Sequence, residues 1–147
     1  MDVVARLEAP CSPDALFPWV ADLDRYPAWL DIVPRAETAA AGDGDPGPAW
    51  SVDLRGRLGP LARSKRLRMV RTRLDVPQVA EFERRELDGR DHSPWRLVAN
   101  VEPVAEGARL TMEMHYGGGL WGPVLERLLG DEIERSRSRL LACVATP

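Results

Sequence analysis

Apolar and polar residues alternate with a period of two along most of this chain, and near its end the period changes to about three and a half. The alternation is cleanest at 49–57, where Trp50, Val52 and Leu54 share one face and Ser51, Asp53 and Arg55 the other. At 108–116, Leu110, Met112, Met114 and Tyr116 oppose Arg109, Thr111, Glu113 and His115. With 2–8, 35–41, 61–74, 78–87 and 95–102, these runs predict seven strands, separated by turn clusters such as GDGDPGP at 42–48. From Gly117 to Val144 the pattern is helical. Trp121, Val124, Leu125, Leu128, Leu129, Ile133, Leu140, Leu141 and Val144 recur three or four apart, and charged residues fill the other side. This apolar stripe thins at Gly130, Glu132 and Ser136, which predicts space between helix and sheet.

Between the first and second strands the signals are short-range. Ser12-Pro13-Asp14 predicts a helix start: a capping hydroxyl, a proline at the first helical position and an acid in the first turn. Pro18 lies inside the pattern, so this helix is expected to be short or kinked. Asp22 and Asp24 are expected to cap a second short helix over Arg25–Leu30, with Pro34 marking the exit.

The resulting order predicts an α+β helix-grip architecture. A curved antiparallel seven-stranded sheet wraps a long C-terminal helix, and two short helices lie between the first and second strands. One sheet face stays in water and the other meets the helix. With 147 residues and no interdomain linker, a single domain over 1–147 is expected.

Charge and composition narrow the function. The net charge of −3 gives no overall reason to bind nucleic acid, and no run approaches the length of a membrane span. The N-terminus carries an acid at position 2 and lacks the apolar core of a secretory signal. Cys11 and Cys143 are isolated, so a cytoplasmic protein with reduced thiols is expected, with a chance disulfide between the termini as the alternative. Nucleophile elbow, phosphate loop, metal-ligand spacing and dinucleotide fingerprint are not found, and no cofactor or metal is expected. His92 falls in a turn cluster and His115 on an outward strand face, so neither is a favoured catalytic base.

The segment from Arg55 to Arg73 holds eight Lys and Arg residues and no acid, and the next strand brings Glu81, Glu83 and Glu86. A turn centred on Asp75-Val76 places Arg68 opposite Glu83 and Val70 opposite Glu81, as cross-strand pairs in solvent. In this register Leu67, Met69 and Arg71 face the helix, opposite Arg84, Phe82 and Ala80. Arg71 then has two readings. It anchors a carboxylate, phenolate or enolate oxygen in an apolar pocket, or it reaches the barrel mouth and pairs with a glutamate. A one-residue slip would turn it outward. Five tryptophans stand against two phenylalanines and two tyrosines. Trp29, Trp50, Trp95 and Trp121, with Met69, Met112 and Met114, suit either core filling or an adaptable cavity wall.

Ala9-Pro10, Ser12 to Phe17, Asp22 to Trp29, Trp95, Gly107 to Thr111 and the terminal helix resemble the START-like (SRPBCC) superfamily over essentially the whole chain. Plant pollen allergens and the polyketide cyclase/dehydrase and lipid-transport-like groups belong to it. The resemblance implies a cavity between sheet and helix for a hydrophobic or aromatic small molecule. Some members cyclise or dehydrate polyketide-like substrates and many only bind, so catalysis stays open. The expected wall comprises Trp29, Trp50, Leu67, Met69, Arg71 and Phe82, then Trp95, Met112, Met114 and Tyr116, and from the helix Leu125 and Leu128. The alternative is an interaction module that uses the charged outer face of Arg66, Arg68, Glu81 and Glu83. An enclosed cavity of about 300 Å³ or more would favour the first reading, and a core plugged by tryptophans the second. The chain is expected to be a monomer or a homodimer, and the sequence does not choose between them.

Overall fold

A computed structural model describes residues 2–58, 61–117 and 122–145, without the side chains of 57, 58, 61–63, 122–126, 128 and 129. The chain runs β1 (Asp2–Ala9), α1 (Pro13–Leu16), α2 (Pro18–Ala21), a 3-10 helix (Leu23–Ala28), then β2 (Arg35–Ala39) and β3 (Ala49–Leu58). It continues through β4 (Leu61–Asp75), β5 (Val79–Arg84), β6 (Trp95–Val104), β7 (Gly107–Tyr116) and α3 (Gly122–Ala145). The strands form one antiparallel seven-stranded sheet in the order β1-β7-β6-β5-β4-β3-β2. The β2 to β7 strands are a meander. Only β1 departs from sequence order, pairing with β7 from Asp2↔His115 to Ala9↔Ala108. The β1–β2 connection must therefore cross the whole sheet, and the short helices lie on that crossing.

Local chemistry explains the crossing. Ser12 Oγ accepts the Ala15 N–H at 3.2 Å, and Pro13 occupies the first turn of α1. Pro18 turns the expected kink into a break, ending α1 and starting α2. The second short helix is a 3-10 turn that begins before Arg25, at Leu23, with Pro27 inside it. Asp22 makes no capping bond there. Its Oδ1 accepts from Arg71 instead, and Asp24 Oδ1 accepts the Trp50 indole N–H at 2.9 Å. Both acids expected as local caps thus serve as tertiary acceptors.

The β4–β5 register also differs from the expectation. Val70 lies opposite Glu83, Met69 opposite Arg84 and Arg71 opposite Phe82, with a bulge between Arg71 and Arg73. Arg68 is not opposite Glu83. Its guanidinium reaches Asp45 at 2.7 Å and the carbonyls of Ala40 and Arg85, holding the GDGDPGP loop to the outer face. The shift below the bulge is two residues. Strand side chains alternate with a period of two, so Leu67, Met69 and Arg71 keep the expected face.

The core lies between the concave sheet face, the short helices and α3. Leu16, Val20, Tyr26, Trp29, Phe82, Leu110, Ile133 and Leu140 are buried within it. On α3, Ser136 is buried and its hydroxyl donates to the Glu132 carbonyl at 2.5 Å. Gly130 is exposed and has open space where a side chain would begin. The expected thinning at Gly130 therefore falls on the solvent side, because the helical phase turns this position away from the sheet.

Candidate ligand cavity

An apolar cavity opens between the concave face and α3. Each layer contributes: Val3 and Ala5 from β1, Val52 and Leu54 from β3, Leu67 and Met69 from β4, Trp95 and Leu97 from β6, Met112 and Met114 from β7, and Ile133 from α3. The crossing segment closes it with Leu23, Tyr26, Leu30, Ile32 and Val33. Period-two alternation puts the sheet residues on one side, and curvature brings them around the helix. The free space is about 60 Å³, far below the roughly 300 Å³ where ligand pockets usually begin. It would admit a few water molecules, each needing on the order of 10–15 Å³. The cavity is neither the large enclosed space nor the tryptophan-plugged core considered from the sequence.

The residues expected to form the wall divide into groups. Leu67, Met69, Trp95, Met112 and Met114 line the space. Trp29, Trp50, Phe82 and Tyr116 are buried in the surrounding core. Trp29 packs its ring 5.2 Å from Tyr26 and donates its indole N–H to the Trp19 carbonyl at 3.0 Å. The Trp50 and Phe82 rings meet edge-on at 5.8 Å. Tyr116 lies 5.2 Å from the Trp95 ring and supports it. The side chains of Leu125 and Leu128, and all of Trp121, lie outside the described residues.

Arg71 shares the face of Met69 but reaches the mouth of the sheet. Its Nη1 donates to Asp22 Oδ1 at 2.7 Å and to the Ala21 carbonyl at 2.9 Å, and the guanidinium lies 5.8 Å from the Trp50 ring centroid. Its charge is met by an aspartate of the crossing segment. Arg84, with a side chain only 9% exposed, is held by Glu86 at 2.9 Å and contacts Ser93 and His92. Both histidines pair with aspartates near the surface, His92 with Asp88 and His115 with Asp2.

The lining of the described residues is chemically plain. Tyr26 is its one ionisable side chain. Burial, reinforced by the Asp22 charge, pushes the phenol far above its ordinary value, and its hydroxyl donates to the Val20 carbonyl at 3.0 Å. Such a group stays neutral and committed to the backbone. Two buried polar atoms have no hydrogen-bond partner among the described residues, Trp95 Nε1 and Glu132 Oε2. Arg135 Nη2 lies 3.9 Å from the latter.

Sequence reasoning took the two short helices to close one end and named Trp29 there, but it did not name Leu23, Tyr26, Leu30, Ile32 and Val33 as lining. The apolar Leu30, Ile32 and Val33 are a visible signal, but no periodicity assigns this irregular stretch to a face. It also passed over Lys65, although Lys65 shares the alternation phase of Leu67 and Met69.

Solved structures with this fold cover nearly all of the chain. Protein NE0264 from Nitrosomonas europaea superposes with a TM-score of 0.68 at 10% identity, covering 98% of this chain and 94% of that one. A START superfamily protein from Mycobacterium smegmatis gives 0.67 at 17% identity, covering 97% and 96%. Ara h 8.0201 gives 0.65 at 13% identity, covering 100% and 99%. At these identities the likeness concerns the fold alone. No curated protein matches the sequence. The family is shown by the sequence itself: residues 1–144 match the model for polyketide cyclase / dehydrase and lipid transport proteins, and the chain belongs to that family.

Proposed function

We propose that the protein binds a hydrophobic or aromatic small molecule in the cavity between its sheet and C-terminal helix. The observation that carries this reading is the lining, whose described residues are apolar apart from the neutral Tyr26 hydroxyl and the Trp95 indole N–H. Family membership supports the same class of ligand. At about 60 Å³ the space must widen to admit a ligand. Met69, Met112 and Met114 supply the means, since thioether side chains repack through several rotamers at low cost. Leu67, Met69, Trp95, Met112 and Met114 would contact the ligand directly, with Trp29, Trp50, Phe82 and Tyr116 as a rigid backing. Leu125 and Leu128 remain proposed contributors from α3. Arg71, already paired with Asp22, would close the mouth.

Binding and transport are favoured over cyclisation or dehydration. General acid–base chemistry needs a group poised to exchange a proton near neutral pH. Among the described lining residues, the one ionisable group is a tyrosine whose proton burial makes harder to remove. The alternative of an interaction module on the outer face has no observation in its favour. Arg66 pairs with Asp53, Arg68 with Asp45, Arg96 with Glu81 and Arg85 with Glu83, so these charges are met within the chain. Cys11 and Cys143 are free thiols, which suits the proposed cytoplasmic location. Among the described residues no helix is long and apolar enough to cross a membrane.

The test is native mass spectrometry of the protein purified from its own source. A bound apolar compound, released on denaturation, is expected. Ligand-free protein that also takes up no apolar compound from a cell extract would sink the reading.

A further inference from the structure

Beside the Trp95 wall of the apolar cavity stand two polar groups that no hydrogen bond or ion pair among the described residues satisfies. Lys65 precedes Leu67 by two residues on β4 and lies opposite Leu54 on β3. Both leucines line the cavity, so alternation turns Lys65 toward the concave face. Its Nζ lies 5.7 Å from the centroid of the Trp95 ring, which is also part of the wall. Among the described residues, no carboxylate pairs with Lys65. Glu86 acts on it electrostatically, but its Oε1 is held by Arg84 Nε at 2.9 Å and by the Arg68 N–H at 3.0 Å. The second group is the Trp95 indole N–H, buried and without an acceptor among the described residues. Its situation differs from that of Trp29 and Trp50, whose indole N–H groups bond the Trp19 carbonyl and Asp24.

We propose that Lys65 and the Trp95 indole N–H bind the head group of an amphipathic carboxylate whose apolar body fills the cavity. The proposal rests on the reading of this cavity as a ligand site and names the chemistry beside its Trp95 wall. A carboxylate supplies what both groups lack: a negative charge for the ammonium and an acceptor for the N–H. Burial, and the nearby Arg84, push the Lys65 amine below its ordinary value, and an anion beside it would act in the opposite sense. A neutral alcohol satisfies only the indole. A phosphate would need more donors, and the neighbouring Arg84 is already engaged by Glu86 and Ser93. Arg71, the cation singled out by the sequence, differs in having Asp22 as its partner.

Octanoate and octanol, which share a chain and differ in the head group, test the assignment. Isothermal titration should show octanoate binding about tenfold tighter or more, the scale of one charge-assisted hydrogen bond. In nitrogen-15 spectra, the indole proton signal lost in Trp95→Phe should move downfield when octanoate is added to the unsubstituted protein. Lys65→Met should cut the octanoate-over-octanol preference by about fivefold or more, and Lys65→Arg should keep most of it. Equal binding of the two probes, or a preference unchanged in Lys65→Met, overturns the head-group assignment and leaves the cavity reading standing. Failure of both probes to bind overturns the two together.

Discussion

Individual ion pairs on the outer face make stability depend on acid in a direction that can be worked out. Asp53 accepts from Arg66 at 2.8 Å and from Arg35 at 2.9 Å, and these two guanidinium groups hold its carboxyl down at about 2. In the unfolded chain an aspartate titrates near 3.9. The folded value is the lower one, so the pairing stabilises the fold above about pH 4 and is lost as the pH falls toward about 2. Asp45 is lowered in the same sense, by Arg68 first and then by the Gly42 N–H. Asp53→Asn should therefore make the fall in melting temperature between about pH 5 and pH 2 shallower than in the parent protein. A thermal melt series by circular dichroism reads this directly, and identical slopes would show that the pairing does not act in solution. The alternation places Asp53 on the wet face in the sequence. Its partners Arg35 and Arg66 emerge only from the register of β2 and β4 against β3.

The C-terminal helix is where pattern and packing part company. Its amphipathic period is plain, and Ile133 and Leu140 are buried as that period requires. Position 130 is different. Reading Gly130 as a gap over the cavity predicts that a leucine there reduces ligand capacity, whereas the position faces solvent with open space around it. Gly130→Ala should therefore stabilise the fold by about 0.5–1 kcal/mol, the usual helix-interior difference, and leave ligand uptake unchanged. Denaturant unfolding measures the first and titration the second. Ile133→Ala acts on the opposite face. It should cost about 2–5 kcal/mol, because a buried aliphatic side chain is replaced by space. It should also strengthen uptake of a bulky apolar probe, since Ile133 lines the cavity. Loss of stability without any gain in probe binding would show that the wall collapses into the gap.

For the whole molecule, the pairing of β1 with β7 decides how the cavity is closed. It forces a long crossing between β1 and β2, and the crossing brings Leu23, Tyr26, Leu30, Ile32 and Val33 over the end of the sheet. The same crossing supplies Asp22 and Asp24, which bind Arg71 and the Trp50 indole across the sheet mouth. Removing such a link should loosen the closure as well as the fold. Asp24→Ala leaves the Trp50 indole N–H without its acceptor, at a cost of about 1–3 kcal/mol. Hydrogen exchange should then quicken in Leu23–Ala28 and at Trp50 more than in β6 and β7. Uniform quickening across the sheet would mean that the bond contributes only to global stability.

Strand number, the long helix and the face of each regular strand were legible in the chain, because they depend on periods of two and about three and a half that local stereochemistry imposes. Even a register error of two residues left Leu67, Met69 and Arg71 on the correct side, since the period is two. What tertiary structure decided was the pairing of polar groups and the space left between layers. Asp22 and Asp24 look like helix caps along the chain, yet Arg71 and Trp50 claim them from 49 and 26 residues away. Lys65 looks like one of eight cations between Arg55 and Arg73. Only the closed fold places it beside a buried indole and commits Glu86 to other donors. Cavity size belongs to the same class of property. It is a small difference between large packed volumes, and no pattern along the chain encodes it.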